Sequence, residues 1–600
     1  MPQLVDTTIR LLSQEPLAGQ VPTGEVLRIA ETLDKAGFAC LEVSGGGVFD
    51  AAVRRAMESP WERIRALDAR TTTPLGIALR GRFLVGSKPV SEDVVRRFIA
   101  SASENGIDVF RIHDPLNDIS NLREAADAIV SAGKAFHAGL VFSSGRPEAV
   151  DALVEQAKRI PELGASMVVI NDPTDALKPH LTEELVERIS GATGLRIGFY
   201  VQGAAGTGLL NAVVATRMGA DLVATAVYPL ALILHRVPGE SLIEALHGRG
   251  QETGVDIDRL WEAADLIDEH IGDEPVAPMA PRIAVRAAEH DVPAGLVAAL
   301  DMHLRAHAAG DRLLDTLDEL QRVREDAGSP PLAAPIGQIL ASQAMANVLF
   351  ASHYGQVSDE FQMLIEGGYG KTPAPISESV AQAVAARRRP SRPEDVAPPS
   401  VEDVAGTAGD LAASEEELVL LAMFGEQART LLETIRARHS GTTSLIAGEV
   451  DATRADRIRE IVQIVQESGV GEIEIEDEGM RVSVRKADET PAPVLVSTGS
   501  ETASDETSGI PAGNGLVRVE SPMPGVFYRR ADPGSPPFVT VGEVVRAGQT
   551  LCLIEAMKLF NELKADRDGL VRAIHVDNAQ PVEFGQLLFE LEPVVGPPTL

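Results

Sequence analysis

The chain has 600 residues, which is too many for one hydrophobic core, so its length predicts several domains. Its 44% apolar and 24% charged residues are typical of a soluble globular protein. The 54 Lys and Arg against 88 Asp and Glu give a formal net charge of −34, which argues against nucleic acid and anionic membranes as partners.

Two further features bear on the cellular compartment. Cys40 and Cys552 are the only cysteines, too few for a disulfide framework, which fits a reducing cytoplasm. The first residues lack a basic segment followed by a long apolar core, and the longest apolar run, residues 222–234, is too short to span a bilayer. We therefore expect a cytoplasmic protein that is neither exported nor embedded in a membrane.

Residues 1–285 alternate short apolar runs with amphipathic helical stretches. After a first strand near Val5, the candidate strands are residues 39–43, 75–79, 109–112, 138–142, 167–170, 196–200 and 222–224. This recurrence is what a parallel (β/α)8 barrel, the TIM barrel fold, requires. The chemistry of such barrels lies at the carboxyl ends of the strands, which are here residues 6–14, 44–47, 80, 113–114, 171–172 and 200–206.

The next part of the chain changes character twice. Residues 286–440 predict an α-helical region, interrupted by a segment dense in Arg and Pro at 387–399. Residues 441–488 predict an amphipathic helix followed by a hairpin, because 472–476 and 481–485 both alternate apolar with polar side chains. Residues 489–514 are rich in Ser, Thr, Pro, Ala and Gly, and predict a flexible linker.

Residues 515–595 contain an internal repeat. Residues 548–551, Gly-Gln-Thr-Leu, recur as residues 585–588, Gly-Gln-Leu-Leu, and the pair Gly-Val at 525–526 recurs as Gly-Leu at 569–570. Two similar halves predict a small, flattened β-sandwich with quasi-twofold symmetry. The first half is longer, and its extra residues at about 531–537 predict a turn-rich protrusion.

Between the two halves, residues 551–563 predict two strands joined by a tight turn with Lys558 at its tip. Ala556 and Met557 are small and flexible neighbours that leave this lysine accessible. The sequence Glu-Ala-Met-Lys at 555–558 resembles the acceptor motif of biotin carboxyl carrier proteins, whereas lipoyl domains of the same fold favour Asp-Lys-Ala. The resemblance implies a covalent biotin on Lys558, attached by a biotin protein ligase.

Two segments resemble the carrier protein of bacterial acetyl-CoA carboxylase in particular. The protrusion at 531–537 matches the thumb of that carrier, and residues 441–488 match its N-terminal segment, which contacts biotin carboxylase in that family. The resemblance implies a carrier of the acetyl-CoA carboxylase type. A small packing module is the alternative for residues 441–488.

Several motifs near the barrel strands recur in one known family. They are Asp-Thr-Thr-Ile-Arg at 6–10, Gly-Gly-Gly-Val-Phe-Asp at 45–50, Leu-Arg-Gly at 79–81, Leu-Asn-Asp at 116–118 and Tyr-Gly-Lys-Thr-Pro-Ala-Pro-Ile at 369–376. These motifs resemble the carboxyltransferase domain of pyruvate carboxylase and the α-subunit of oxaloacetate decarboxylase. The resemblance covers about residues 5–440, and it implies that residues 286–440 form a funnel beside the barrel mouth.

That family binds a divalent metal and uses a catalytic threonine, and both features are changed here. The positions that match the four metal ligands and the threonine are, in order, Leu11, Asn171, Tyr200, Gln202 and Leu234. None of the first four suits a metal ion. The resemblance retains two substrate contacts: Arg80 matches the carboxylate-binding arginine, and Gln14 matches a substrate-contacting glutamine. A structural ion pair is the alternative for Arg80.

A rebuilt metal site is a further alternative for the barrel. His113 and Asp114 stand at one predicted strand end, and His137 precedes the next. Two imidazoles and a carboxylate can in principle hold zinc, whereas most single histidines are ordinary packing residues. The sequence favours packing, so we expect no metal.

Three functions are open from the sequence. We expect the first: a homo-oligomeric carrier subunit of an acetyl-CoA-type acyl-CoA carboxylase, serving fatty acid biosynthesis. Its partners would be a biotin carboxylase subunit and an acyl-CoA carboxyltransferase subunit, and its degenerate barrel would act as a scaffold or regulator. The alternative is a carboxyltransferase that acts on a 2-oxo acid, pyruvate or oxaloacetate, at an altered metal site. In the third, the barrel only binds an anionic metabolite through Arg80 and Gln14.

Overall fold

The computed structural model describes residues 1–55, 58–145, 149–203, 205–271, 281–307, 309–386, 398–439, 472–477, 480–485, 517–521, 525–530, 537–546, 549–556, 559–565, 569–578, 580–582 and 586–593. The chain divides into two compact units, Met1–Ala447 and Gly448–Leu600, each of which is described by itself. Within the described residues, no helix has both the length and the apolar character needed to cross a membrane.

Eight parallel strands form the closed barrel that the sequence predicts. They are β1 Gln3–Asp6, β2 Cys40–Gly45, β3 Leu75–Arg80, β4 Ile107–His113, β5 Ala135–Val141, β6 Met167–Asp172, β7 Arg196–Val201 and β8 Leu222–Thr225. The barrel closes because β1 pairs with both β2 and β8, so that Val5 lies opposite Cys40 on one side and Ala224 on the other. The predicted strands differ from the observed ones only at their ends.

Amphipathic helices surround this barrel. They are α1 Thr8–Leu12, α2 Thr23–Asp34, α3 Gly46–Arg54, α4 Pro60–Asp68, α5 Glu92–Glu104, α6 Arg123–Ser131, α7 Ala149–Ala157, α8 Pro179–Thr193, α9 Gly208–Arg217, α10 Tyr228–Ile233, α11 Gly239–His247 and α12 Ile257–Ile271. Helix α5 illustrates how the sequence determines these helices. The Ser91 side chain accepts a hydrogen bond from the Val94 N–H and so caps the start of the helix. Phe98 and Ile99 lie on the helix face that is buried against the barrel.

A second helical layer has its own hydrophobic core. Its helices are α13 Pro281–His290, α14 Ala294–Ala306, α15 Leu313–Asp326, α16 Ile336–Leu349, α17 Asp359–Ile365 and α18 Glu378–Ala386. Phe83 and Leu116, which follow β3 and β4, belong to this core, and the Phe83 ring stacks on Tyr369 at 5.4 Å. The layer therefore adjoins the carboxyl ends of the strands, where the family resemblance placed a funnel.

The last three helices of the first unit pack differently. Helices α19 Val401–Ala408, α20 Glu415–Phe424 and α21 Glu426–His439 share the hydrophobic core of the barrel. Trp61 Nε1 of α4 donates to the Glu416 carbonyl at 3.3 Å, which fixes α20 against the outside of the barrel. The helical residues within 286–440 thus pack as two groups.

Among the described residues, the first element of the second unit is the predicted hairpin. Strands β9 Glu472–Asp477 and β10 Met480–Arg485 pair antiparallel, with Ile475 opposite Val482. The helix predicted within 441–488, the linker predicted at 489–514 and most of the protrusion at 531–537 lie outside the described residues.

The C-terminal domain shows the predicted twofold repeat in its strand pairing. Its strands are β11 Val517–Glu520, β12 Gly525–Tyr528, β13 Val544–Val545, β14 Thr550–Ala556, β15 Leu559–Lys564, β16 Gly569–Ile574, β17 Gln580–Val582 and β18 Leu587–Pro593. They form two four-stranded sheets, ordered β11-β18-β16-β13 and β15-β14-β12-β17. Val526 lies opposite Glu555 in one sheet, and the equivalent Leu570 lies opposite Glu592 in the other. The sequence repeat therefore corresponds to one pairing register used twice.

Candidate active site

A buried carboxylate, Glu42 of β2, lies between two arginines inside the barrel. Arg111 of β4 donates from Nε and Nη2 to its two oxygens at 2.8 and 3.0 Å, and Arg10 Nε lies 2.8 Å from Oε1. Burial alone would raise the pKa of Glu42, but the Arg111 and Arg10 cations outweigh it and hold that pKa at about 2. Glu42 is therefore ionised at neutral pH and orients both arginines.

Arg111 also connects this ion pair to two positions on the neighbouring strands. Its Nη1 donates to Asn171 Oδ1 of β6 at 3.1 Å, and its guanidinium carbon lies 4.2 Å from the ring centroid of Tyr200 on β7. The contact with the ring is a cation–π interaction. Each nitrogen of the Arg111 guanidinium thus has a protein partner.

The four positions that match the family's metal ligands do not form a metal site. Leu11 is fully buried in the barrel core, and Asn171 and Tyr200 both contact the Arg111 guanidinium. Leucine has no donor atom, and a fixed guanidinium disfavours a divalent cation beside it. In the part of the chain that is described, no group of three or more His, Cys, Asp or Glu side chains can hold a metal ion. These residues do not fit the family's metal.

The alternative zinc site at His113, Asp114 and His137 is likewise not formed among the described residues. Asp114 Oδ1 accepts two backbone N–H groups of its own following loop, both at 2.9 Å. Burial, reinforced by neighbouring arginine cations, lowers the pKa of His113 to about 3. Burial likewise lowers the pKa of His137 to about 4. Both imidazoles are neutral at physiological pH.

The structure brings Arg80 and Gln14 to the same glycine turn at the start of α3. A Cβ on Gly46 would lie 1.7 Å from Arg80 Nη2, and a Cβ on Gly47 would lie 2.8 Å from Gln14 Oε1. Arg80 Nη1 donates to the Gly86 carbonyl at 3.1 Å, and no ion pair of Arg80 is found within the described ranges. The two glycines therefore provide the space that lets Arg80 and Gln14 lie against one turn.

The sequence assigned no role to four charged residues of this site: Arg10, Glu42, Arg111 and Arg236. Glu42 and Arg111 lie inside runs predicted as buried strands. Because charged residues are rarely buried unless they are paired, a charge in each run indicated an ion pair inside the barrel. Arg236 follows α10, and no pattern in its own segment marks it. Burial, followed by repulsion from Arg10, lowers the pKa of Arg236 to about 9.

Several buried polar atoms at this end of the barrel have no hydrogen-bond partner among the described residues. They include Ser44 Oγ, His113 Nδ1, Asn171 Nδ2, Arg236 Nε and Glu240 Oε2. Such groups are costly unless a ligand or water satisfies them. The site holds four arginines, at 10, 80, 111 and 236, and among the described residues their ion pairs involve a single carboxylate, that of Glu42. Only two of these four arginines are therefore paired with a carboxylate among the described residues.

The second site is the hairpin of β14 and β15. The strands pair antiparallel up to Ala556 opposite Leu559, so only Met557 and Lys558 connect them in sequence. Met557 and Lys558 lie outside the described residues. A lysine amine between the ends of two paired strands is chemically suited to form an amide with the biotin carboxyl group, so the hairpin fits the cofactor.

Three protein-family models match the chain. "HMGL-like" matches residues 1–267, "Conserved carboxylase domain" matches 288–484, and "Biotin-requiring enzyme" matches 517–591. A carboxyltransferase-type barrel joined to a biotinyl domain defines a component of a biotin-dependent carboxylase, and biotin is its covalently attached cofactor.

Relatives at about 30% identity cover nearly the whole chain. A pyruvate carboxylase subunit of Methanocaldococcus jannaschii is 30% identical over 567 residues, which are 93% of this chain and 94% of that protein. The 2-oxoglutarate carboxylase large subunit of Hydrogenobacter thermophilus is 30% identical over 610 residues, with coverage of 94% and 90%. The chain belongs to the same family as this pyruvate carboxylase subunit.

The solved structures agree with this fold. The carboxyl transferase domain from Rhizobium etli pyruvate carboxylase, in a structure with pyruvate and biocytin, has a TM-score of 0.66 at 20% identity. The match covers 94% of this chain and 89% of that one. At this identity the likeness establishes the fold alone.

Proposed function

We propose that this protein is the carboxyltransferase and carrier subunit of a biotin-dependent carboxylase that acts on a 2-oxo acid. In this proposal a separate biotin carboxylase loads a carboxyl group onto the biotin of Lys558. The barrel then transfers it to the carbon beside the keto group of the acceptor. A biotin protein ligase attaches the biotin beforehand.

The observation that carries the proposal is the agreement over the full length of the chain. The relatives named for pyruvate and for 2-oxoglutarate carboxylation each span more than nine tenths of this chain, barrel and biotinyl domain together. Pyruvate and 2-oxoglutarate are both 2-oxo acids. This agreement favours the second of the three functions that the sequence left open.

The expectation of an acetyl-CoA carboxylase carrier receives no support from these relatives. The match to the conserved carboxylase domain extends to residue 484, so it includes the segment that we compared with acetyl-CoA carboxylase carriers. A docking role for residues 441–488 and a homo-oligomeric state both stay predictions. The carrier-only function stays the second candidate, because the metal positions of the barrel are lost at Leu11, Asn171, Tyr200 and Gln202.

The acceptor would be held by the residues around the glycine turn. A guanidinium can bind both oxygens of the carboxylate beside the keto group, and Arg80 has donors that no acidic group occupies within the described residues. Gln14 lies on the same turn and can donate from its amide to the keto oxygen. Removing a proton next to a ketone places negative charge on that oxygen, and nearby arginine cations stabilise such charge.

The transfer balances without any further reactant. The bond between the biotin ring nitrogen and the carboxyl carbon breaks, and a bond forms from that carbon to the carbon beside the keto group. The proton lost by the acceptor carbon ends on the biotin nitrogen. The reverse reaction, decarboxylation of the product onto biotin, uses the same groups.

The reverse reaction offers the simplest test. Purified, biotinylated protein treated with EDTA is mixed with oxaloacetate and free biotin, and pyruvate formation is measured above the spontaneous rate. We expect turnover, a loss of about 30-fold or more in Arg80→Gln, and no loss in Arg70→Gln, whose exposed arginine pairs with Glu31. Absence of turnover in the wild-type protein, with or without added metal, would favour the carrier-only function.

A further inference from the structure

Arg236 is the cation of the barrel site that the protein itself leaves unsatisfied. Arg236 is half-buried, its Nε is inaccessible and has no hydrogen-bond partner, and no Asp or Glu lies within 4 Å of its guanidinium among the described residues. Arg10 and Arg111, by contrast, share the Glu42 carboxylate. A buried cation without a counterion is expensive, which points to an anion supplied from outside the protein.

The backbone around Arg236 holds it in place. The Arg236 N–H donates to the Ala231 carbonyl at 2.8 Å, and the His235 carbonyl accepts the Gly203 N–H at 3.1 Å. The first bond closes the end of α10, and the second ties this turn to the loop after β7. The guanidinium is therefore presented by a fixed turn at the carboxyl ends of β7 and β8, beside Arg10 and the Arg111 network.

The acids at this end of the barrel lie beyond 4 Å from the Arg236 guanidinium among the described residues, and their oxygens accept hydrogen bonds locally, except for Glu240 Oε2, which has no partner there. Asp6 accepts from the N–H and the hydroxyl of Thr8, and Asp172 accepts the N–H groups of its own following loop. Glu240 Oε1 accepts the Tyr228 N–H at 3.0 Å. A single carboxylate bound at Arg80 would leave the Arg236 side of the site with excess positive charge.

We propose that Arg236, with Arg10, binds a second acidic group of the acceptor, so that the site prefers a 2-oxo dicarboxylate over pyruvate. This inference rests on the proposed function, in which Arg80 binds the carboxylate beside the keto group. The acceptor must also carry hydrogen on the carbon next to the keto group, since that carbon receives the carboxyl group. 2-Oxoglutarate meets both conditions and serves as the probe.

The test measures binding and turnover separately. Calorimetry on the EDTA-treated, biotinylated protein compares 2-oxoglutarate with pyruvate, and the same comparison is made for Arg236→Gln, Arg236→Lys and the exposed control Arg217→Gln. We expect 2-oxoglutarate to bind about 30-fold more tightly than pyruvate. Arg236→Gln should remove this preference with little change in pyruvate affinity, whereas Arg236→Lys should keep most of it.

Each contrary result has a distinct meaning. If pyruvate binds as tightly as 2-oxoglutarate, or if Arg236→Gln weakens both equally, the inference is wrong and the proposed function stands. If neither acid binds and oxaloacetate is not turned over, the inference and the proposed function are both wrong. Loss of a half-buried, unpaired cation should not unfold the protein, and an unchanged thermal midpoint of Arg236→Gln without ligand verifies this.

Discussion

Glu42→Gln tests the buried ion-pair network of the barrel. Glutamine keeps the shape of the side chain but removes its charge, and it leaves the Arg111 and Arg10 guanidiniums without their counterion. Breaking a buried ion pair in this way costs roughly 3–5 kcal/mol in the free energy of unfolding. The pKa gives a second estimate, because a shift from 4.5 to about 2 corresponds to about 3 kcal/mol at neutral pH.

The two tryptophans make the assay specific to the barrel. Both lie in the first unit, Trp61 buried on α4 and Trp261 half exposed on α12, so their fluorescence during urea unfolding reports the barrel and not the biotinyl domain. The control is Glu31→Gln, which breaks an exposed ion pair with Arg70 and should cost at most about 1 kcal/mol.

The pH dependence of the stability that Glu42 contributes follows from the direction of its pKa shift. Because the pKa of Glu42 is lower in the folded protein than its ordinary value, its stabilising contribution is fully present above pH 4.5. It is lost as the pH falls from 4.5 towards 2, so the difference between wild type and variant should shrink over that range. If Glu42→Gln lowers the free energy of unfolding at pH 7 by no more than Glu31→Gln does, the buried ion-pair network does not stabilise the barrel and the reasoning is wrong.

Three shorter predictions concern other parts of the chain. Lys558→Arg should abolish biotin labelling, seen as loss of the streptavidin gel shift, because arginine cannot form the amide. His113→Asn should lessen the loss of barrel stability between pH 6.5 and 5, where the wild-type imidazole, with a pKa of about 3, stays neutral while the unfolded chain takes up a proton. Gly46→Ala should slow oxaloacetate turnover by displacing Arg80, whereas Gly24→Ala, whose added Cβ meets nothing within 4 Å, should not.

Each of these has an outcome that would contradict it. Labelling that persists in Lys558→Arg places the biotin elsewhere. A wild-type stability that is flat from pH 6.5 to 5, or equally steep in His113→Asn, shows that this histidine is not held neutral; the expected wild-type loss by pH 5 is about 2 kcal/mol. Equal turnover in Gly46→Ala and Gly24→Ala would mean that the position of Arg80 does not matter.

Much of the fold followed from local periodicity. The apolar strand runs of residues 1–285 predicted all eight barrel strands, since a strand buried on both faces has a continuous apolar sequence. The repeat at 548–551 and 585–588 predicted the sandwich, and the equivalent pairs Val526–Glu555 and Leu570–Glu592 show why: one strand register is used twice. The division of the helices between two cores did not follow, because it depends on which apolar faces meet in space.

The sequence by itself determined the barrel, the twofold biotinyl domain, the acceptor motif at Lys558 and the loss of the family's metal ligands. Each is a property of neighbouring residues or of one position. Only the tertiary structure decided which charged groups meet at the carboxyl ends of the strands, because Arg10, Glu42, Arg111 and Arg236 come from four separate segments. Their effect depends on distance and burial: Glu42 is held ionised by two arginines, while Arg236 lacks a partner among the described residues. No single segment of the chain contains that information.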